Sequence, residues 1–170
     1  MEARFNSGKV PLEGYKALLG LEFYLRKCRL EESLLHLIKL RASQINGCAF
    51  CLDMHWKNLR AIGESEQRLY LLDAWRESPF YSERERAGLA WTEAITLITN
   101  GHLPDAVYEE ARAHFNEKEL SDLTLAVAAI NAWNRLSIAS RTVPGSYQPA
   151  KAHGAKTAER LAHKPQTPIP

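Results

Sequence analysis

From Leu123 to Ile130 the chain reads Leu-Thr-Leu-Ala-Val-Ala-Ala-Ile. A helix that is apolar nearly all round cannot leave a long side in water, so other helices must surround it. Asn116 with Glu119 three residues later marks its start, and the helical spacing runs on to about Ser140. It is therefore expected to be the buried central helix. Helices expected around it run from Leu12 to about Lys27 (Tyr15, Leu18, Leu19 and Phe23 on one face) and from Glu31 to Ile45. A third runs to about Ile62 and is closed by Gly63. Ser65 caps a fourth, which carries Leu69, Leu71, Leu72 and Trp75 and stops at Ser78-Pro79. Ser82 and Glu85 form a capping box for a fifth, holding Leu89, Trp91, Ala94, Ile95 and Ile98 as far as Asn100-Gly101. Pro104 suits the first turn of a sixth, which ends near His114. No segment alternates with period two, so the expected class is all-α.

A chain of 170 residues, 45% of them hydrophobic, suffices for one domain with a sizeable core. That domain is expected to span residues 1–141. From Thr142 onward, Pro144, Gly145, Pro149, Pro165, Pro168 and Pro170 interrupt any pattern, which reads as a flexible tail with a possible short helix over 156–163. The tail holds Lys151, Lys156, Arg160 and Lys164 against Glu159. The rest is nearly neutral, so no nucleic-acid surface is expected. No apolar run reaches membrane length and no signal-peptide core is visible, so the expected location is the cytoplasm, with no membrane partner.

Chemistry concentrates at Cys48, Cys51 and His55, introduced by Asn46-Gly47. Asn and Gly tolerate positive φ, so one helix can stop there and another begin. At about 100° per residue, Cys51 lies about 300° round from Cys48 and His55 about 700° round, which puts all three side chains on one face. Cys48 falls near a helix N-terminus, where the dipole favours a thiolate, and His55 stands i+4 from Cys51. The residues alone thus describe a redox dithiol with a proton handler, in which either thiol could attack first. They also allow a second reading: Cys48, Cys51, His55 and His36 make a Cys₂His₂ set suited to zinc, although three of the four come from one short helix.

Flanking residues read as structural. Cys28 is expected to be a small buried hydrophobe. Asp53 points away from the cysteine face as a surface or ion-pair residue, and Met54 and Trp56 belong to the core or a subunit interface. Trp91 and Trp133 read as core, His102 and His114 as surface, and His153 and His163 fall in the tail. Arg41 and Gln44 have no evident chemical role.

The string Leu40-Arg41-Ala42-Ser43-Gln44-Ile45-Asn46-Gly47-Cys48-Ala49-Phe50-Cys51-Leu52-Asp53-Met54-His55 resembles the signature of the alkylhydroperoxidase D (AhpD)-like branch of the carboxymuconolactone decarboxylase superfamily. Residues 83–93 and 129–135 are similar to later strings of the same family, so the resemblance covers about residues 10–140. It implies a helical fold that assembles as a homotrimer or hexamer and a dithiol that reduces peroxides. Matched position by position, Cys51 is the peroxide-reactive cysteine, Cys48 the resolving one and His55 the relay histidine. Where the family has a relay glutamate this chain has His36, which is expected to face the thiols and relay protons with altered pH dependence. Glu31, Glu32 and Glu93 are candidates for a substitute carboxylate. No nucleotide or flavin motif is present, so no cofactor is expected. Electrons would come from a small thiol or a protein reductant, such as a thioredoxin-like protein or a lipoylated carrier. The alternative is a non-catalytic helical oligomer that senses redox state or binds zinc. Lactone decarboxylation has no need of a dithiol.

Overall fold

The computed structural model describes residues 2–6 and 12–149. Seven α-helices occur among them: α1 (Leu12–Leu25), α2 (Glu32–Asn46), α3 (Ala49–Ala61), α4 (Glu66–Tyr70), α5 (Glu83–Thr96), α6 (Asp105–His114) and α7 (Glu117–Ser140), with no strand among the described residues. The domain is all-α, as expected.

The hub is α2 rather than α7. It packs against α3, α5 and α7, while α5 also packs against α6 and α7, and α1 lies on α7. Its Leu34, Leu35 and Ile38 enter a core with Trp91, Phe115, Leu123 and Val127. Its Leu37 and Leu40 enter a second core with Leu59, Leu72, Trp75 and Leu89. Ala42, one turn before the helix ends, joins a third and smaller cluster with Cys48, Cys51 and Ile130. The apolar run of α7 is buried on the α2 side, but Leu125 and Ala128 are exposed. Small residues made the run look apolar all round, whereas only Leu123, Ala126, Val127, Ala129 and Ile130 are covered.

Local chemistry explains most of the boundaries. Capping boxes open α5 (Ser82 with Glu85) and α7 (Asn116 with Glu119). Gly47 has φ +68°, its N–H donates to the Gln44 carbonyl at 3.2 Å, and the Cys48 N–H donates to that of Ser43 at 3.1 Å. This paired closure of the last turn needs a residue at positive φ, which glycine adopts at little cost. The same arrangement ends α3, with Gly63 at φ +93°.

Two expectations need correction. The helix from Ser65 does not reach Trp75: α4 has five residues and a 3₁₀ turn, Leu72–Ala74, follows. The turns that follow are held by Arg86, which donates to the carbonyls of Trp75, Ser78 and Arg76. Likewise α5 ends at Thr96, and turns through Leu97 and Ile98 lead to Gly101 and His102, both at positive φ.

Candidate active site

Cys48 and Cys51 form a disulfide at the head of α3, with Cα atoms 5.4 Å apart. Cys48 is the N-cap, in extended conformation, and its carbonyl accepts from the Leu52 N–H at 2.9 Å. Cys51 sits in the first turn. Both are 1% exposed and packed among Ala42, Ile130 and the partly buried Phe50 and Trp133. Two elements therefore clamp the pair, the end of α2 and the middle of α7.

That clamp is polar as well as apolar. Asn46 Nδ2 donates to Asn131 Oδ1 at 3.0 Å and to Asn134 Oδ1 at 2.8 Å. Asn134, fully buried, donates to Ser43 Oγ at 3.0 Å, and Ser43 Oγ donates to the Lys39 carbonyl at 2.7 Å. Asn46 thus does more than turn the chain: it ties the start of the cysteine loop to α7. The string at 129–135 supplies both halves of the clamp, Ile130 and Trp133 against the sulfurs and Asn131 and Asn134 against Asn46.

His55, one turn beyond Cys51, is 4% exposed. Its Nδ1 lies 3.2 Å from Nδ1 of His36, while its Nε2 is buried and makes no hydrogen bond within the described residues. Burial pushes the His55 pKa well below its ordinary value, and the neighbouring His36 and Lys39 add to the effect. Burial also lowers His36, to about 4, helped by Lys39 and Arg26 and opposed by Glu22. Both imidazoles are therefore neutral near pH 7, and one Nδ1–H donates to the other Nδ1. Of the four expected site residues, the disulfide unites Cys48 with Cys51 and the ring contact unites His55 with His36; Cys51 and His55 are helical neighbours.

The candidate carboxylates sort clearly. Glu93 is a structural latch: Oε1 accepts from Arg41 Nε and Trp75 Nε1, each at 2.8 Å, and Oε2 from Arg76. Burial raises its pKa, but these three donors outweigh burial and hold it below the usual range. Arg41, which also bonds Gln44 and Asp73, thereby acquires a role. Glu31 pairs with Arg84. Glu32 alone of the three approaches the histidines, at 4.0 Å from His36 Nε2.

Sequence reasoning missed Glu22. It accepts from Lys39 Nζ at 2.5 Å and from Trp133 Nε1 at 3.1 Å, which joins the surroundings of His36 to those of the disulfide. The only local signal was Lys39, a cation interrupting an apolar face three residues after His36. Glu22, Arg26, His36, Lys39, Asn58 and Tyr147 lie around a cavity of about 550 Å³. Residues 142–149 run along α3 and supply part of its wall. Asp53 Oδ2 accepts from the Gly145 N–H at 3.0 Å, Lys57 donates to the Gly145 and Tyr147 carbonyls, and Tyr147 OH donates to Asn58 at 2.7 Å. Asp53 is the ion-pair residue expected, with Lys57 at 2.9 Å. The remainder of the tail, including the helix expected over 156–163, lies outside the described residues.

The zinc set does not assemble here. Cys48 and Cys51 are bonded to each other, and among the described residues no group of three His, Cys, Asp or Glu side chains is placed to hold a metal ion.

The helical fold and the paired Cys48 and Cys51 agree with the motif resemblance, and comparison with known proteins decides the family. The sequence model of the carboxymuconolactone decarboxylase family matches residues 12–94. Protein YdfG of Bacillus subtilis, itself uncharacterized, is 44% identical over 139 residues, which is 82% of this chain and 95% of that one. The chain belongs to the carboxymuconolactone decarboxylase family, in its AhpD-like branch. Uncharacterized protein YnjA of Escherichia coli is 30% identical over 78% of this chain and 72% of its own length. A crystal structure from Agrobacterium tumefaciens, of a protein of unknown function provisionally assigned as the antioxidant-defence protein AhpD, superposes with a TM-score of 0.83. It is 46% identical and covers 86% of this chain and all of that one. No helix among the described residues is long and apolar enough to cross a membrane.

Proposed function

We propose that this AhpD-like protein is a thiol-dependent hydroperoxide reductase. The observation that carries the reading is the buried Cys48–Cys51 disulfide at the head of α3 with His55 one turn on. The assignment of the Agrobacterium relative to antioxidant defence supports the same class. In the reduced protein Cys51 is the attacking thiol: the α3 N-terminus favours a thiolate at either cysteine, and only Cys51 has an imidazole i+4 away. His55 takes its proton. The thiolate attacks the hydroperoxide oxygen, the O–O bond breaks, and the alcohol leaves with a proton returned by His55. Cys51 becomes a sulfenic acid. The Cys48 thiol attacks that sulfur and releases water, giving the disulfide seen here. Two electrons and two protons from an external dithiol, on a protein or a small molecule, restore the reduced state by exchange. We place the enzyme in the cytoplasm as a homotrimer or hexamer, acting on a peroxide and on neither nucleic acid nor membrane.

One observation favours a second reading. At 1% exposure neither sulfur is open to a bulky reductant, which suits a sensor that oxidises once. Turnover separates the two. With hydrogen peroxide and excess dithiothreitol, an enzyme consumes many equivalents of peroxide and a sensor about one. Cys48→Ser should stop at a Cys51 sulfenic acid that dimedone traps, and Cys51→Ser should give no adduct. A dimedone adduct on Cys48 in the Cys51→Ser variant would reverse the assignment of roles.

A further inference from the structure

We propose that a second, aromatic cavity beside the dithiol binds the organic group of the substrate, and that this group is a neutral aryl ring. This rests on the hydroperoxide reductase reading above and names its substrate class. The cavity holds about 380 Å³, within the range of small-molecule sites. Phe5, Tyr15, Phe50, Trp133 and Val143 supply most of its apolar wall, and Asn6, Ser137 and Thr142 supply its polar lining. No charged residue lines it among the described residues. The cavity beside His36 is the opposite, with Glu22, Arg26, Glu32, His36 and Lys39 around it.

Two walls are shared with the dithiol. Phe50 precedes Cys51 in the chain, and Phe50 and Trp133 pack against the cluster that holds Cys48 and Cys51. Trp133 is held from two sides: Tyr15 meets it edge to face with ring centroids 5.0 Å apart, and its Nε1–H donates to Glu22 at 3.1 Å. Its one polar atom is engaged by a residue of the charged cavity, so the indole offers carbon to the aromatic one. A ligand ring gains edge and offset contacts from such walls. A charged group would lose its water here and find no counter-charge.

The outer wall comes from two segments that flank the helical core. The Arg4 N–H donates to the Ser140 carbonyl at 2.8 Å, which ties residues 2–6 to the end of α7. Arg141, at φ +54°, turns the chain, and the Thr142 N–H donates back to the Ser137 carbonyl at 2.9 Å, which brings Val143 to the cavity wall. Both segments lie outside residues 12–94, the span of the family match, so this wall is not set by the cysteine motif. A ring seated here sends its hydroperoxide between Phe50 and Trp133 toward Cys51. The reaction balances as the reductase step does: two thiols and one hydroperoxide give the disulfide, the aryl alcohol and water. Hydrogen peroxide has no group to seat, so the cavity makes the enzyme selective for aryl hydroperoxides over it.

Filling the cavity tests this. In the reduced full-length protein, stopped-flow thiol oxidation is followed with cumene hydroperoxide and with hydrogen peroxide. Val143 is 47% exposed, so Val143→Trp adds bulk to the wall without disturbing the core. Wild type should react roughly 10-fold faster with cumene hydroperoxide, and Val143→Trp should lower the ratio of the two rates by roughly 10-fold or more. In the oxidised protein, cumyl alcohol should shift the Trp133 indole N–H signal in an NMR titration, benzoate should not, and Val143→Trp should abolish the shift. An unchanged ratio in a folded Val143→Trp would overturn the proposal. So would a fall confined to Ile62→Trp, which narrows the charged cavity instead. Should Val143→Trp fail to fold, Ala3→Trp fills the same cavity from the other segment: the same fall supports the proposal and an unchanged ratio overturns it. Thiols inert to both peroxides would refute the reductase reading, while a shift by cumyl alcohol that Val143→Trp abolishes would still support the aromatic site.

Discussion

Mild acid should destabilise this protein through its histidine pair before its carboxylates titrate. The perturbation is a drop from pH 6.5 to 5, in the oxidised protein at constant ionic strength. His36 has a folded pKa of about 4 against an ordinary value of 6.5. Between those values the unfolded chain binds a proton that the native state refuses. Stability is therefore complete above 6.5 and falls as pH falls. The full depression is worth about 3 kcal/mol, of which about 2 kcal/mol is lost by pH 5. His55 is lowered in the same direction, so its loss adds to that of His36. The carboxylates held low by their partners, Glu85, Glu93 and Asp122, lose their contributions only at lower pH. Urea unfolding at pH 7.5, 6.5, 5.5 and 5.0 would measure the slope, with His36→Gln beside wild type. The variant should lose about 2 kcal/mol less than wild type across this window. Equal losses in the two proteins, or a wild-type stability that does not fall, would refute the reasoning.

Two further outcomes follow from the clamp and the latch. Asn134→Ala removes one of two hydrogen-bond partners from each of Ser43 and Asn46, which keep the Lys39 carbonyl and Asn131, and should cost about 1–2 kcal/mol in urea unfolding; a loss below 0.5 kcal/mol would show that the network adds little. Arg41→Ala removes one of the three donors of Glu93, leaving Trp75 and Arg76, and should cost about 1–2 kcal/mol, with a smaller cost when made in the Glu93→Gln background; strict additivity of the two single changes would mean the pair is not coupled.

The parts of this fold that were legible in the sequence are those with local causes. The capping boxes at Ser82 and Asn116, and the glycines that close α2 and α3, each act within six residues, and all do what their chemistry implies. The one-turn relation of Cys51 to His55 is likewise a property of a single helix. What could not be read depends on partners far away in the chain. Arg86 holds the turns that follow the break by taking the carbonyls of Trp75, Arg76 and Ser78, and no feature of residues 65–77 announces that. Glu22 and Trp133 meet across 111 positions, so the bridge between the histidines and the cysteines has no sequence period. Asp53 was expected to be a surface or ion-pair residue, yet it and its partner Lys57 also hold residues 145–147 through their remaining hydrogen-bonding capacity. His36 was legible as a departure from the family pattern. Its contact with His55 needed the crossing of α2 and α3.

The central claim is that Cys48 and Cys51 are a peroxide-reactive dithiol. Intact mass with thiol counting, on reduced wild type and Cys51→Ser before and after one equivalent of hydrogen peroxide, tests it most directly. The account predicts that wild type loses two thiols and two mass units as a Cys48–Cys51 disulfide, with Cys28 left free, while Cys51→Ser forms no intramolecular disulfide. Wild-type thiols that remain reduced beside the peroxide would contradict it.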